Sequence, residues 1–184
     1  MSRQRLMKMF LYCPETTSRD TLTVFRNRGY SCVELTDRAE FFWEQLGTID
    51  DGGVLVLLSH GDAAGPLLVK GTWGNSMSAE QIKGLGATLV TKNLSLYLLS
   101  CKTGSGSFCE VLSNVRDVKF VAPVGAAQVR SGSGMCNAYS IEHNDDSEEE
   151  KKEEEIDKEP KYLPWAGVGI LTGRERLTTP LQIP

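Results

Sequence analysis

The sequence of 184 residues contains only two histidines and no apolar run that approaches the roughly 20 residues of a membrane-spanning helix. The low histidine count excludes a metal site built from several histidines, and the short apolar runs argue against a membrane partner. The apolar stretch near the start, residues 9–12, is too short for a secretory signal peptide. We therefore expect a cytoplasmic protein with no metal site.

The cysteines of the sequence also lack the pattern of a disulfide framework or a zinc site. The five cysteines are an odd number, and none of them has the paired spacing of a zinc site. Cys13, Cys32 and Cys101 lie in or beside apolar, strand-like runs. This placement favours reduced, buried thiols over a disulfide framework. The composition therefore points to chemistry that needs no cofactor.

The charge is distributed unevenly along the chain. The formal net charge is −4, but residues 142–159 alone contain eleven acids and three lysines. We predict one domain over residues 1–184 with an acidic, exposed insertion at about 142–160, and the alternative is a cleavable or regulatory linker. No basic stripe with interleaved aromatics is present, so a nucleic-acid partner is not expected.

Strand-like and helix-like segments alternate through the first two thirds of the chain. The predicted strands are residues 7–13, residues 30–35, a run ending at His60, a run ending at Cys101, residues 118–124 and, less regularly, residues 166–171. Helices are predicted to begin near Ser18, Asp37, Ser78 and Ser107, and Gly29 and Gly47 are predicted to end the first two. A small hairpin is predicted within residues 65–71. This alternation predicts an α/β fold, a three-layer sandwich with a mainly parallel central sheet.

Two apolar runs each end in a reactive side chain. Residues 54–58 (VLVLL) lead into Ser-His-Gly-Asp, so His60 follows the first run. Residues 94–99 (LSLYLL) lead into Ser-Cys-Lys-Thr-Gly, so Cys101 follows the second. Because the carboxyl ends of parallel strands meet at one edge of a sheet, we expect the two side chains to serve there as base and nucleophile.

A thiol that attacks a carbonyl group needs donors for the negative charge that develops on oxygen. The backbone amides of Gly61 and Cys101 are predicted to form this oxyanion hole. The glycine after the histidine also permits a close approach of the ligand.

The residues around both side chains match a known pattern. The sequence VLLSHGD around His60 resembles the histidine motif of caspase-like cysteine peptidases. The sequence LLSCKTG around Cys101 resembles the cysteine motif of the same clan (clan CD), nearest to the form in bacterial CHAT domains. The two residues are 41 positions apart, a spacing similar to that of the clan, and the resemblance covers roughly residues 8–129.

This resemblance implies a caspase-like fold and a cysteine endopeptidase that cleaves protein or peptide substrates through a thioacyl-enzyme intermediate. His60 would be the general base and acid, Cys101 the nucleophile, and Gly61 an oxyanion donor. A second resemblance, carried by APVG at residues 122–125, is to the autoprocessing peptidase domains of large bacterial toxins. Their activator, inositol hexakisphosphate, is not expected here because the C-terminal region carries the acidic tract.

The sequence also departs from the caspase pattern. Caspases have Gln-Ala-Cys-Arg-Gly, whereas Ser100 and Lys102 flank Cys101, so a preference for aspartate is not implied. Residues 124–133 lie where the clan shapes its substrate pocket, and they offer Gln128 and Arg130, with Asp62 as a third candidate for substrate binding.

Two other functions remain open at this point. One is a catalytically inactive caspase-like module with a binding or regulatory role. The other is a flavodoxin-like phosphate-binding domain, which is disfavoured because Cys-Pro-Glu-Thr-Thr, at residues 13–17, replaces a glycine-rich loop after the first strand.

Overall fold

Six strands form the central sheet of the protein. A computed structural model describes residues 4–71, 76–142, 161–171 and 180–184. The helices are α1 (Arg19–Asn27), α2 (Ala39–Thr48), α3 (Ala79–Thr91) and α4 (Ser107–Ser113). The strands are β1 (Lys8–Tyr12), β2 (Ser31–Glu34), β3 (Val54–Leu58), β4 (Gly61–Asp62), β5 (Gly65–Pro66), β6 (Ser95–Leu99), β7 (Phe120–Pro123), β8 (Ala126–Gly132), β9 (Met135–Ile141) and β10 (Trp165–Val168). The sheet order is β10-β7-β6-β3-β1-β2, and all neighbouring pairs are parallel except β10 with β7. The predicted α/β fold with a mainly parallel sheet is therefore confirmed.

Alternate residues of the central strands face opposite sides of the sheet. Met9 and Leu11 of β1 join an apolar cluster with residues of α2, α3 and α4. Phe10 and Tyr12 join a second cluster with residues of α1 and β9, and the rings of Phe10 and Phe25 stack with centroids 3.9 Å apart. Because both faces of the sheet are covered, its central strands β1, β3, β6 and β7 have the largely apolar sequence of a buried parallel sheet. This arrangement is compatible with a three-layer sandwich.

Helix starts follow the expected capping chemistry at two positions. Ser18 accepts the N–H of Thr21 at 3.1 Å at the start of α1. Ser78 and Gln81 form a reciprocal capping box at the start of α3.

At α2 the predictions of both ends are wrong. The N-cap is Arg38, with no side-chain cap bond, and not Asp37. The hydroxyl group of Thr36 instead accepts the N–H of Arg38 at 3.2 Å. The helix also continues through Gly47 to Thr48, because a glycine with ordinary helical geometry does not by itself end a helix.

The C-terminal third contains a long hairpin, β8–β9, which is not among the elements predicted from the sequence. Its two strands pair antiparallel from Ala126 with Ile141 to Gly132 with Met135. Ser133 and Gly134 form the turn with positive φ angles of 51° and 76°. A bond of 2.7 Å between the hydroxyl groups of Thr21 and Ser131 joins the hairpin to α1.

Three other predictions in this part of the chain need correction or lie outside the description. The predicted hairpin within residues 65–71 is instead formed by β5 with β4. The final strand is β10, which begins at Trp165 and ends before residues 169–171. The acidic residues 143–160 lie outside the described residues. Among the residues that are described, no helix is long and apolar enough to cross a membrane.

Candidate functional site

The histidine and the cysteine follow neighbouring strands at the same edge of the sheet. Strands β3 and β6 pair in parallel, and the last pair in register is Leu58 with Leu99. One residue further, the buried hydroxyl oxygens of Ser59 and Ser100 are 3.0 Å apart. His60 and Cys101 directly follow these two serines, so the fold brings both predicted residues to one edge of the sheet.

Cys101 is half-buried and contacts the start of the β8–β9 hairpin. Its Sγ accepts a hydrogen bond from the backbone N–H of Ala127 at 3.3 Å. The next residue, Lys102, has a φ angle of 60° and donates its backbone N–H to the carbonyl of Gly125 at 2.8 Å. These bonds fix the loop after β6 against the connection between β7 and β8.

The loop after β3 is fixed in a similar way. The carbonyl oxygen of His60 accepts the N–H of Leu67 at 2.7 Å and the hydroxyl group of Ser59 at 3.2 Å. His60 as a whole residue is half-buried.

Gly61 lies against the loop that carries the cysteine. A Cβ atom at this position would lie 2.9 Å from the Cβ of Ser100 and 3.2 Å from the carbonyl oxygen of Cys101. Any larger residue would therefore push the two loops apart. The two residues predicted to form the oxyanion hole, Gly61 and Cys101, are thus adjacent.

Sequence reasoning missed several polar residues that support this edge. Thr103 is fully buried, and its hydroxyl group donates to the carbonyl of Ser100 at 2.8 Å. Ser140 of β9 accepts the backbone N–H of Gly125 at 2.8 Å through its hydroxyl oxygen. The sequence carried one signal of such support, because a serine precedes each of the two predicted residues. A polar residue at the end of a buried strand needs a hydrogen-bond partner.

The three residues predicted to bind substrate fall into two groups. Arg130 donates to Oε1 of Gln128 from Nε at 3.1 Å and from Nη2 at 2.9 Å, and its guanidinium carbon is 4.9 Å from the ring centroid of Tyr139. The structure therefore brings Gln128 and Arg130 together on β8. Asp62 lies on β4, and its carboxylate accepts the N–H of Ala64 at 2.7 Å within the β4–β5 turn.

The other four cysteines are buried or half-buried thiols. Burial is the main cause that raises the pKa of the thiols of Cys32, Cys109 and Cys136. Cys13 is fully buried beside β1. A buried neutral thiol is a poor nucleophile, because the thiolate is the reacting form. The described residues contain no group of three or more His, Cys, Asp and Glu side chains suited to a metal ion.

Comparisons with known proteins give matches to solved structures alone. No protein-family model and no curated protein matches the sequence. An aspartate aminotransferase from Trypanosoma cruzi matches with a TM-score of 0.40 and 14% identity, over 64% of this chain and 31% of that one. The broad-specificity aminotransferase from Leishmania mexicana gives 0.40 and 15%, over 63% and 31%. The cytoplasmic aspartate aminotransferase from Giardia lamblia gives 0.39 and 17%, over 62% and 29%. The chain thus spans about a third of the length of these structures.

These matches contradict the family and the function that the motifs implied. The solved structures are aminotransferases and not cysteine peptidases, so the predicted caspase-like family is wrong, and the predicted endopeptidase activity with it. The inactive caspase-like module has no support from them either. The motif around each reactive residue is only seven residues long, and a buried strand followed by a small polar loop recurs in many parallel sheets. At these TM-scores and identities, no aminotransferase activity is assigned to this chain.

Proposed function

We propose that the chain carries a reactive thiol site in which Cys101 adds to an electrophilic carbonyl carbon of a ligand. In this addition a sulfur–carbon bond forms, the π bond of the carbonyl opens toward oxygen, and the thiol proton passes to His60 and then to that oxygen. No leaving group departs and no co-reactant is consumed. We do not propose hydrolysis of a peptide bond.

The observation that carries this proposal is the shared end of β3 and β6. The register of Leu58 with Leu99 and the hydroxyl contact of Ser59 with Ser100 put the residues that follow at the same edge. An imidazole near a thiol is the usual arrangement for activating a cysteine nucleophile.

One further contact, and a contrast with Cys109, support a nucleophilic role for Cys101 in particular. The sulfur accepts the amide N–H of Ala127, and such a donor stabilises negative charge on the accepting atom. Cys109, by contrast, is a half-buried thiol on α4 whose pKa is raised by burial.

The backbone amides of Gly61 and Cys101 are the proposed donors to the developing oxyanion. Their loops are in van der Waals contact, since the space at Gly61 is limited by Ser100 and by the carbonyl of Cys101. Donors held in place before the reaction stabilise the developing charge without reorganisation.

Gln128 and Arg130 are proposed to contact the ligand. Both follow Ala127 on β8, and the Gln128 amide and the Tyr139 ring hold the guanidinium of Arg130 in one position. Asp62 stays a prediction, with its carboxylate engaged in the turn after β4.

The experiment follows the carbonyl carbon of a small aldehyde labelled with carbon-13. In the wild-type protein we expect a new NMR signal in the region of tetrahedral carbon, because addition of the thiol converts the trigonal carbonyl carbon. The signal should disappear in Cys101→Ala and persist in the matched control Cys109→Ala. A signal of equal strength in Cys101→Ala would contradict the proposal.

A further inference from the structure

The outer edge of β9 is occupied by a short segment of the chain itself. Leu181 forms an antiparallel bridge with Ala138 and donates its N–H to the carbonyl of Ala138 at 2.8 Å. Three residues further along β9, Ile141 forms an antiparallel bridge with Tyr162. The segment at 180–184 therefore pairs with the same edge of β9 as the segment that contains Tyr162.

This segment has the side-chain alternation of a strand. Leu181 and Ile183 are buried, with exposures of 6% and 7%, whereas Pro180, Gln182 and Pro184 are exposed. The two aliphatic side chains join the apolar cluster that contains Cys136 and Ala138. Recognition at this edge thus requires an extended chain with aliphatic side chains two residues apart.

Basic and polar groups lie beyond the second aliphatic side chain. Arg28 donates Nη1 to the carbonyl of Ile183 at 3.2 Å, and the hydroxyl group of Tyr30 donates to the carbonyl of Pro184. A cavity of about 430 Å³ adjoins this end of the segment. The described residues that line it include two cations, Lys8 and Arg28, and no acid.

The favourable and unfavourable contributions to the free energy of docking this segment are of similar size. Two aliphatic side chains, one ladder hydrogen bond and the bonds from Arg28 and Tyr30 favour docking. The ordering of five backbone residues opposes it by a free energy of similar size. An edge strand held in this way can exchange its neighbour, because main-chain groups at an edge pair with any chain of the right pattern.

We propose that the outer edge of β9, from Cys136 to Ala138, is a strand-acceptor site for a partner peptide. The partner has two aliphatic residues separated by one residue and followed by an acid, which would face Lys8 and Arg28. Residues 181–183 occupy the site in the same chain and compete with the partner. Peptide binding by strand addition uses main-chain hydrogen bonds for affinity and alternate side chains for specificity. This site is independent of the chemistry proposed at Cys101.

The test measures fluorescence anisotropy of the labelled peptide Pro-Leu-Gln-Ile-Glu with two forms of the full chain. The double variant Leu181→Asp with Ile183→Asp releases the internal segment, and we expect it to bind the peptide about tenfold more tightly than the wild type, because only a free edge is competent to bind. A peptide with lysine in place of glutamate should bind more weakly. A peptide with aspartate in place of both aliphatic residues should not bind.

Circular dichroism and cooperative thermal unfolding establish that the double variant is folded. A folded double variant that binds the aliphatic peptide no better than the aspartate peptide would overturn the proposal. If the double variant does not fold, Leu181→Ala provides the same comparison, since it weakens the internal segment and keeps Ile183. Binding to Leu181→Ala no tighter than binding to the wild type would also overturn the proposal.

Discussion

The hydroxyl groups of Ser59 and Ser100 form a buried contact of 3.0 Å between the ends of the two central strands. Ser59 also donates to the carbonyl of His60 at 3.2 Å, so the proton in the contact between the two serines comes from Ser100. A chain of hydrogen bonds thus runs from Ser100 through Ser59 to the backbone of His60. It links the loop that carries the thiol to the loop that carries the imidazole.

Removal of one hydroxyl group from this chain should destabilise the fold. In Ser100→Ala the buried oxygen of Ser59 loses its donor, and we expect the free energy of unfolding to fall by about 1–2 kcal/mol. Urea unfolding measures this change. The control is Ser105→Ala, whose exposed hydroxyl bonds to the carbonyl of Lys102 and which should change stability by less than about 0.5 kcal/mol. Equal effects of the two substitutions would show that the serine contact does not hold the strand ends together.

A methyl group at Gly61 should separate the two loops. The new Cβ would lie 2.9 Å from the Cβ of Ser100, closer than side-chain carbons pack, so Gly61→Ala should lower the free energy of unfolding by about 1–3 kcal/mol and slow modification of Cys101. Gly47→Ala is the matched control, because nothing lies within 4 Å of its added carbon and alanine is the better helix residue. Urea unfolding measures the free energy of unfolding of both variants. An unchanged free energy of unfolding in Gly61→Ala would contradict the described packing.

The amide of Ala127 should influence the reactivity of the thiol. Ala127→Pro removes the N–H that donates to the sulfur of Cys101, whereas Ala127→Gly retains it. We expect slower alkylation of Cys101 in the proline variant and a rate close to that of the wild type in the glycine variant. Peptide mass spectrometry after timed exposure to iodoacetamide measures both rates. Identical alkylation rates in the two variants would show that this hydrogen bond does not influence the reactivity of Cys101.

Stability should fall at alkaline pH. Burial raises the pKa of Tyr30 and of Cys109 and Cys136 above their ordinary values, about 10 for tyrosine and about 8.5 for cysteine. Below those ordinary values each group is neutral in both the folded and the unfolded state, so its contribution is complete. As the pH rises above them, the unfolded state loses protons first, and stability declines.

Urea unfolding at pH 8 and pH 10.5 measures this decline. Tyr30→Phe removes one of the titrating groups, so its stability should depend less on pH above about 10. A dependence as steep as that of the wild type would mean that Tyr30 does not contribute.

The sequence predicted the parallel part of the fold well. Four of the five parallel strands, β1, β3, β6 and β7, are largely buried and mostly apolar, and a strand buried on both faces leaves this clear pattern. The edge strand β2 is short and only partly buried. The edge that holds His60 and Cys101 followed from the strands that precede them.

The hairpin β8–β9 was missed although its sequence carries a signal. That signal is the turn dipeptide Ser133-Gly134, and in the structure Met135 to Ile141 then alternates between buried and less buried positions. The glycine-rich appearance of residues 131–134 obscured that alternation. The contact of Ala127 with Cys101 depends on where the hairpin packs, and no local pattern in the sequence predicts that.

The function assigned from the motifs failed for a different reason. Short phrases around His60 and Cys101 reflect the chemistry of a strand end, which unrelated proteins with parallel sheets share. They located a candidate site but did not identify its reaction.

The central claim, that Cys101 is an activated thiol served by His60, is tested most directly by the rate of its alkylation. Iodoacetamide is added at pH 7 to the wild type and to His60→Asn, and the modified fraction of each cysteine is followed by peptide mass spectrometry. We predict that Cys101 reacts about tenfold or more faster than Cys109, and that His60→Asn removes most of this difference. Equal rates for Cys101 and Cys109 in the wild type, or an unchanged rate for Cys101 in His60→Asn, would contradict the claim.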